Sequence, residues 1–235
     1  MLQHPLTAGL RASDRIAHMD ELIRNIAVYA LPVLFAITLH EAAHAYVARY
    51  FGDDTAYAAG RMTLNPLVHI DIFGTIVIPI ALYLTTGFVF GYAKPVPVDF
   101  ARLRNPKRDM AWVALAGPAA NFIMAFLWLV LAVLLVAFNV NEEFPHKVAQ
   151  AGLFANLLMF AFNLLPIPPL DGGRVLTSML PNTLAYKFAR IEPYGFFIVL
   201  GLIFFNLLAF WVMPVMTLGR VLLQLIASPL TLLLT

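Results

Sequence analysis

The sequence predicts an all-α polytopic membrane protein with about five to six transmembrane helices, a re-entrant segment and a short β-hairpin. Two observations predict this class. Of the 235 residues, 61% are hydrophobic and only 12% are charged, whereas a soluble protein carries roughly 25% charged residues. Apolar runs close to the ~20 residues that a membrane-spanning helix needs also recur along the chain. The sequence therefore leaves little room for a soluble domain.

Charge and cysteine content exclude several classes of function. The formal net charge is +2 at pH 7, but the basic residues lie in short loops between apolar runs instead of along one face. This distribution is typical of topology signals in a membrane protein and argues against nucleic acid as a partner. The chain contains no cysteine, which excludes disulfides and thiolate metal ligands. Any metal must therefore be held by His, Asp or Glu.

Six apolar runs follow a polar N-terminal tail. The tail, residues 1–24, precedes a single transmembrane domain over residues 25–235, and its residues 1–18 are expected to have little structure. Five of the runs are interpreted as membrane spans, and the sixth is left open. The runs cover about 26–51, 72–90, 110–138, 148–170, 194–212 and 214–233. Within the domain we expect a catalytic core over residues 25–180 and two accessory C-terminal helices over residues 191–235.

Two proline-containing segments interrupt the helical pattern. Residues 94–98 alternate proline and valine and cannot be helical, because proline lacks a backbone N–H and clashes with the preceding turn. An extended edge strand or hairpin is the better interpretation. Near the end of the fourth run, three prolines and two glycines fall between residues 166 and 173. At membrane depth such backbone is tolerated only inside protein or beside a water-filled cavity, which indicates a cleft.

The reactive side chains are concentrated in His40-Glu41-Ala42-Ala43-His44, within the first apolar run. On a helix, positions 40 and 44 lie one turn apart on the same face, so two imidazoles can converge on one metal ion. Glu41 lies beside them and is free to act as a base. Ionisable residues are costly in a transmembrane helix and are functional by default. The motif therefore indicates a metal site inside the membrane.

A catalytic zinc site needs a third protein ligand and keeps one position open for water. Few acidic residues border the later apolar runs. Glu142 and Glu143 lie in a short loop, and Glu192 precedes a proline at a helix start. Asp171 is the strongest candidate, because it comes directly after the proline-rich end of the fourth run. The alternative for Asp171 is a turn or helix-capping residue before Gly172, as in most Asp-Gly pairs of loops.

These residues resemble the signatures of the site-2 protease family of intramembrane zinc metalloproteases. That family carries His-Glu-x-x-His in a transmembrane helix, here residues 40–44, and a later Asn-x-x-Pro-x-x-x-Leu-Asp-Gly segment, here residues 163–172. Residues 65–71, 94–97 and 116–121 also resemble a compact bacterial and archaeal branch of the family. The compact branch lacks the PDZ or CBS domain of larger members, and residues 141–147 and the C-terminal end are too short for either.

The resemblance implies a role for each residue of the motifs. His40, His44 and Asp171 would hold one zinc ion per chain, and Glu41 would deprotonate the water that attacks a peptide carbonyl. Zinc would also polarise that carbonyl as a Lewis acid. Asn163 would donate a hydrogen bond to the developing oxyanion, with a helix-packing amide as the alternative.

Three further residues are candidates for positioning the substrate: His69, Asn121 and Val96. For His69, a structural hydrogen bond with Asp71 is favoured over metal ligation. For the helix that contains Asn121, ordinary close packing of small residues is favoured. Val96 would act through the extended segment, which could hold an unwound substrate by edge pairing.

The expected activity is hydrolysis of a peptide bond within or near the transmembrane segment of another membrane protein. The expected partners are therefore this substrate and the lipid bilayer. One alternative is a membrane metalloprotease with Glu as the third ligand, and another is a non-catalytic channel, transporter or binding protein that uses the same polar residues. The expected location is a prokaryotic cell membrane.

A shared metal ion constrains the topology. Because the ligands must lie at one depth, the first and fourth apolar runs should be parallel, and the third should run in the opposite direction. Residues 52–109 would then begin and end on one side, so the run 72–90 either re-enters or crosses once and is followed by a return of the chain. The basic residues assigned to that side are Arg49, Arg61, Lys94, Arg102, Arg104, Lys107, Arg108, Arg174, Lys187 and Arg190. The excess of Lys and Arg predicts that this side, and with it the metal site, lies nearer the cytoplasm.

Overall fold

The computed structural model of the protein describes residues 12–78 and 94–234, and every regular element in these two stretches is helical. The α-helices are α1 Ala12–Tyr50, α2 Thr55–Ala58, α3 Pro106–Ala137, α4 Glu143–Asn163, α5 Asp171–Met179, α6 Asn182–Ala189, α7 Gly195–Phe204 and α8 Ala209–Leu234. Short 3₁₀ turns occur at Pro66–Val68, Phe100–Arg102 and Glu192–Tyr194, and a π-helical turn at Ile72–Val77. The all-helical class is confirmed for this part of the chain.

The predicted β-hairpin and re-entrant segment are not found in the described part of the chain. Residues 94–98 are extended, as proline requires, but they do not form a strand. Most of the run 72–90 falls in residues 79–93, outside the described residues. Of that run only the π-helical turn at its start is seen, and Asp71 begins it by accepting a hydrogen bond from the amide of Gly74 at 2.7 Å.

Three described helices are long and apolar enough to cross a membrane: Ile23–Tyr50 of α1, Pro106–Ala137 and Ala209–Leu234. Five to six spans were predicted. The fourth apolar run forms α4, which ends at Asn163 because residues 164–170 carry three prolines. The last two runs divide at residues 205–208 instead of at 213, where Asn206 adopts a φ of 56°. Asparagine tolerates this left-handed conformation better than most residues do.

Part of the tail differs from the expectation of little structure, because residues 12–18 are helical. Residues 12–24 continue the helix that includes the first apolar run, so α1 extends over 39 residues. This stretch contains neither glycine nor proline, and its residues have no strong tendency to break a helix. The polar residues 12–24 therefore mark where the apolar run begins, but the helix extends through them.

The three helices at the centre of the fold alternate in direction. His44 and His40 of α1 contact Val113 and Asn121 of α3 respectively, so the two helices are antiparallel. Asn121 in turn contacts Asn156 of α4, and Gly152, one turn earlier in α4, packs against the indole of Trp128. Helices α1 and α4 are therefore parallel and α3 is antiparallel to both, as the sequence predicted.

Small residues allow these helices to approach closely. Ala36, Ala45 and Ala48 of α1 are buried. A second buried cluster joins α3, α4 and α8 through Ala125, Leu157, Ala161 and Leu223. Because lipid tails are as apolar as these side chains, close van der Waals packing of small residues stabilises helix contacts in a membrane.

Candidate metal centre

Three side chains converge between α1 and the start of α5. His40 Nε2 lies 3.1 Å from His44 Nε2, and Asp171 Oδ2 lies 3.2 Å from the first nitrogen and 3.3 Å from the second. Within the described residues, His40, His44 and Asp171 form the group of side chains that could hold a metal ion. The two histidines are brought together by helical spacing, whereas Asp171 comes from an element 127 residues after His44 in the chain (171 − 44).

The triangle of these three atoms fits a tetrahedral zinc ion. Ligand atoms at ~2.0–2.2 Å from a tetrahedral centre are roughly 3.3–3.6 Å from one another, close to the three observed separations of 3.1, 3.2 and 3.3 Å. Asp171 Oδ2 is buried and accepts no hydrogen bond. A buried carboxylate oxygen without a donor is costly unless a cation lies against it. The donor set, two imidazoles and one carboxylate, is typical of catalytic zinc sites.

Hydrogen bonds fix which imidazole nitrogen faces the site. His44 Nδ1 lies 2.7 Å from the carbonyl oxygen of Val113, and because a carbonyl can only accept, Nδ1 carries the hydrogen. His40 Nδ1 lies 2.6 Å from Asn121 Oδ1. Both Nε2 atoms are therefore left with a free electron pair at the shared point, as metal binding requires.

The side-chain amide of Asn121 is itself oriented by a buried network. Its Nδ2 donates to the carbonyl oxygen of Ala36 and to Asn156 Oδ1, each at 3.1 Å, so Oδ1 faces His40. Asn156 Nδ2 donates to the carbonyl oxygen of Gly152 at 2.9 Å. Asn121 and Asn156 are both fully buried. The network therefore connects one imidazole to α4 through polar groups that all have partners.

Gly117 brings α3 directly against the two histidines. A Cβ atom at this position would overlap both imidazole rings, so only glycine fits. Gly117 and Asn121 are four residues apart on one helix and therefore face the same neighbour. Ordinary packing was the favoured expectation for this helix, but Gly117 and the side-chain amide of Asn121 both contact the candidate ligands.

Asp171 is held in place by the backbone that precedes it. Residues 164–170 fold back over the start of α5, and a Cβ atom at Gly172 would overlap the carbonyl group of Leu164. A Cβ atom at Gly173 would overlap the backbone of Ile167 and Pro168. The two glycines after Asp171 thus allow a close approach of two backbone segments. Asp171 is the first residue of a new helix, and α4 ends before it instead of continuing with a kink.

Glu41 lies next to the ligand group but does not belong to it. Its Oε2 accepts a hydrogen bond from the backbone N–H of Val96 at 2.8 Å. Val96, which the sequence analysis placed among the substrate-positioning residues, therefore contacts the candidate base through its own amide. An N–H that donates to Glu41 cannot at the same time pair with a substrate strand.

Comparison with known proteins agrees with this geometry. The family model described as "Peptidase family M50" matches residues 28–155. The chain is 39% identical over 212 residues to "Putative zinc metalloprotease YwhC" of Bacillus subtilis, covering 88% of this chain and 93% of the relative. It is 33% identical over 183 residues to Rip2 of Mycolicibacterium smegmatis, covering 76% of this chain and 67% of that one.

This chain belongs to peptidase family M50. The resemblance to the site-2 protease family is thereby confirmed. A more distant relative, "Zinc metalloprotease MJ0392" of Methanocaldococcus jannaschii, is 25% identical over 160 residues, which are 68% of this chain and 36% of the relative. No solved structure matches the chain significantly. The family, together with the membrane-spanning helices, indicates an integral membrane metalloprotease.

Two other predicted site residues of this M50 chain make contacts within the scaffold. Asn163 Nδ2 donates to the carbonyl oxygen of Met159 at 3.0 Å, within its own helix, as the packing alternative expects. Its oxyanion role stays a prediction. His69 is buried, and its Nε2 lies 3.0 Å from the carbonyl oxygen of Thr63. His69 is not part of the ligand group.

Several residues of the M50 site were not found by sequence reasoning. They are the Val113 carbonyl, Gly117 and Asn156. Asn156 could have been noticed as the only asparagine within the apolar stretch 148–162, and Gly117 as the glycine one helical turn before Asn121. The sequence carries no signal for the contact of the Val113 carbonyl, because any residue at that position supplies the same backbone oxygen.

Proposed function

We propose that this protein is an intramembrane zinc metalloendopeptidase that hydrolyses a peptide bond within or near the transmembrane segment of a membrane protein. One observation carries the proposal: two corners of the triangle of His40, His44 and Asp171 lie on a helix whose residues Ile23–Tyr50 are long and apolar enough to cross a membrane. An acidic residue, Glu41, follows the first ligand directly. The names of the relatives, which describe zinc metalloproteases, support the same chemistry.

In this proposal His40, His44 and Asp171 hold one zinc ion. When bound, zinc supplies Lewis-acid activation of water and of the scissile carbonyl. Asn121 and the Val113 carbonyl keep both imidazoles in the tautomer that leaves Nε2 free. Gly117 places backbone alone against both imidazoles, which are buried.

Glu41 acts as the general base. The Val96 amide occupies Oε2 and leaves Oε1 to take the proton from the attacking water. Glu41 then delivers that proton to the nitrogen of the leaving amide as the peptide bond breaks. Because a helical substrate keeps its carbonyls in hydrogen bonds to the next turn, the substrate must unwind locally before water can attack.

We further propose that the metal site lies nearer the cytoplasmic side of the membrane. The end of α1 that follows His44 and the start of α3 carry exposed basic side chains, among them Arg49, Arg104 and Lys107. Arg104 donates to backbone carbonyls at the C-terminal end of α1, so these basic groups lie at one end of the bundle. Loops rich in Lys and Arg remain on the cytoplasmic side.

The decisive experiment combines metal analysis with cleavage in lipid vesicles. The purified protein is reconstituted with a panel of single-pass membrane proteins, and zinc is counted per chain. We expect Glu41→Gln to retain zinc and to lower the cleavage rate by about 10²- to 10⁴-fold, since the variant removes only the base. His44→Ala and Asp171→Ala should each lose the metal.

Three outcomes contradict the proposal. Full cleavage by Glu41→Gln would exclude the hydrolytic role of Glu41. Zinc bound by wild type without cleavage of any substrate, together with ion flux that depends on the same residues, would favour the alternative of a channel or transporter. Metal content unchanged in both ligand variants would place the ion elsewhere.

A further inference from the structure

An extended segment, residues 94–99, is attached to the scaffold at both ends. The Lys94 amide donates to the carbonyl oxygen of His69 at 2.9 Å. The Asp99 amide donates to the buried carboxylate of Asp53 at 2.8 Å. Between these attachments, the Val96 side chain is buried against Ala45 and Ala56. The segment therefore has a fixed position relative to the C-terminal part of α1.

Val96 is the one residue from 95 to 97 with a backbone N–H, because both of its neighbours are prolines. That N–H donates to Glu41 Oε2 at 2.8 Å. Ala45, which contacts the Val96 side chain, lies one helical turn after Glu41 and on the same face of α1. The segment thus contacts α1 with a side chain and a backbone donor, and the donor meets the carboxylate of the proposed base.

The orientation of this donor depends on Arg61. Arg61 Nη2 donates to the carbonyl oxygen of Lys94 at 2.9 Å and to that of Pro95 at 3.3 Å. The Pro95 carbonyl belongs to the same peptide group as the Val96 N–H. In a planar trans peptide group the C=O and N–H bonds point in opposite directions, so a donor that holds the oxygen also sets the direction of the N–H. One guanidinium therefore aims the Val96 N–H at Glu41.

Arg61 is itself well placed for this contact. Its amide donates to the carbonyl oxygen of Ala56 at 2.8 Å, and Gly60 before it has a φ of +66°, which glycine adopts without strain. Ala56 is also the residue that packs on Val96. The turn after α2 thus holds the backbone of Arg61 beside the extended segment, and a charged donor of fixed shape spans the two carbonyls.

We propose that Arg61 is a positioning residue for catalysis, which holds Glu41 in its reactive orientation through the Pro95–Val96 peptide group. The inference rests on the proposed function, because it gives Arg61 the role of orienting Glu41, the general base of that reaction. Arg61 touches neither the ligands nor Glu41 directly. Its loss should leave the metal and substrate binding in place while the carboxylate samples other orientations.

The kinetic test uses zinc-loaded Arg61→Gln and Arg61→Lys in the vesicle assay. We expect Arg61→Gln to lower kcat by about 10- to 100-fold, because a misplacement of a catalytic group by about 1 Å costs this much. KM and the zinc content should stay within about twofold of wild type. Arg61→Lys should recover part of kcat, since an ammonium can donate to one of the two carbonyls but lacks the planar fork.

Arg49→Gln is the matched control. The Arg49 guanidinium lies 3.8 Å from the centre of the Tyr57 ring, and in the described part of the chain it forms no hydrogen bond or ion pair with the extended segment. This variant removes the same charge from the same end of the bundle and should keep the wild-type kcat. An increase of KM with unchanged kcat in Arg61→Gln would overturn the proposal, because the segment would then bind substrate instead of orienting the base. Wild-type values of both constants would also overturn it.

Amide hydrogen exchange tests the same contact without any cleavage. The Val96 amide contributes the single exchangeable backbone hydrogen from 95 to 97, so its exchange can be followed by mass spectrometry of a peptide over this segment. We expect Arg61→Gln to accelerate this exchange by about tenfold or more relative to wild type and Arg49→Gln. Unchanged exchange would exclude the role of Arg61, and faster exchange with unchanged kcat would make the contact structural only. If wild type cleaves no substrate, the proposed function fails, while the exchange result still decides whether Arg61 holds the Val96 amide.

Discussion

Asn121 Oδ1 lies 2.6 Å from His40 Nδ1, although the two residues are 81 positions apart in the sequence. This contact decides which nitrogen of the imidazole faces Asp171. It also joins α1 to α3 at the candidate metal centre, so one side chain both contributes to the contact between the two helices and holds the tautomer of a candidate ligand.

Replacement of Asn121 should weaken metal binding without removing a ligand. In Asn121→Ala, His40 loses the acceptor that holds its tautomer and ring orientation, and we expect a 10- to 100-fold lower zinc affinity, a loss of about this size for outer partners of metal ligands. Competition with a chromogenic chelator measures the change. Asn182→Ala, which removes an exposed amide bonded to Lys107, is the control and should bind zinc as wild type does. Equal affinities for both variants would contradict the assignment.

A methyl group at position 117 should distort the site. In Gly117→Ala the new Cβ overlaps both imidazole rings, and overpacking of this kind costs about 1–3 kcal/mol. We expect a lower Tm and less bound zinc. Gly201→Ala in helix α7 is the matched control, because among the described residues a Cβ there meets no atom within 4 Å outside the nearby backbone of its own helix. That variant should be neutral or slightly more stable, since alanine favours helix by about 1 kcal/mol over glycine. A neutral Gly117→Ala would show that the histidines can move aside.

Removal of zinc should destabilise the fold locally around Asp171. Without the ion, a buried carboxylate oxygen has no donor, so chelation should lower Tm and added zinc should restore it in a concentration-dependent way. In Asp171→Asn the dependence of Tm on zinc should be lost or strongly reduced, because the charged ligand is gone. Thermal unfolding in detergent, followed by tryptophan fluorescence, measures both. A Tm of Asp171→Asn that responds to zinc as in wild type would contradict the ligand assignment.

The orientation can be tested with single cysteines, since the natural chain has none. Arg108 and Glu142 are exposed and lie near opposite ends of α3. In intact cells we expect a membrane-impermeant maleimide to label Glu142→Cys and to leave Arg108→Cys unlabelled until the membrane is opened. The reverse pattern would place the metal site nearer the outer side.

Much of the candidate site could be predicted from the sequence because it depends on local geometry or on residue chemistry. The spacing of His40 and His44 determines that they share a helix face, and the absence of cysteine restricts the metal ligands to His, Asp and Glu. The proline-rich stretch before Asp171 predicted an irregular segment beside a cleft. The antiparallel course of the third apolar run also followed from one requirement, that all ligands meet at the same depth.

The sequence was less informative wherever no periodic pattern or turn signal exists. It predicted a hairpin for residues 94–98, but extended backbone forms a strand only if a partner lies alongside, and proline removes most of the donors. It assigned little structure to residues 1–18, of which 12–18 are helical, because polarity alone does not distinguish a solvated helix from a tail. It divided the last two apolar runs near Pro214, which instead lies inside α8.

The sequence by itself determined the two histidines, the candidate base beside them and the membrane setting, because these follow from residue type and from spacing within one helix. It also made Asp171 the strongest candidate for the third ligand, because few acidic residues border the later apolar runs. Only the tertiary structure decided that Asn121 and the Val113 carbonyl orient the imidazoles, that Gly117 closes the site and that the Val96 amide contacts Glu41. These contacts join residues 55 to 81 positions apart. The groups that make these contacts are backbone carbonyls and amides, a side-chain amide and a glycine. The role of such a group depends on the residue that faces it, and the packing of the helices determines which residue that is.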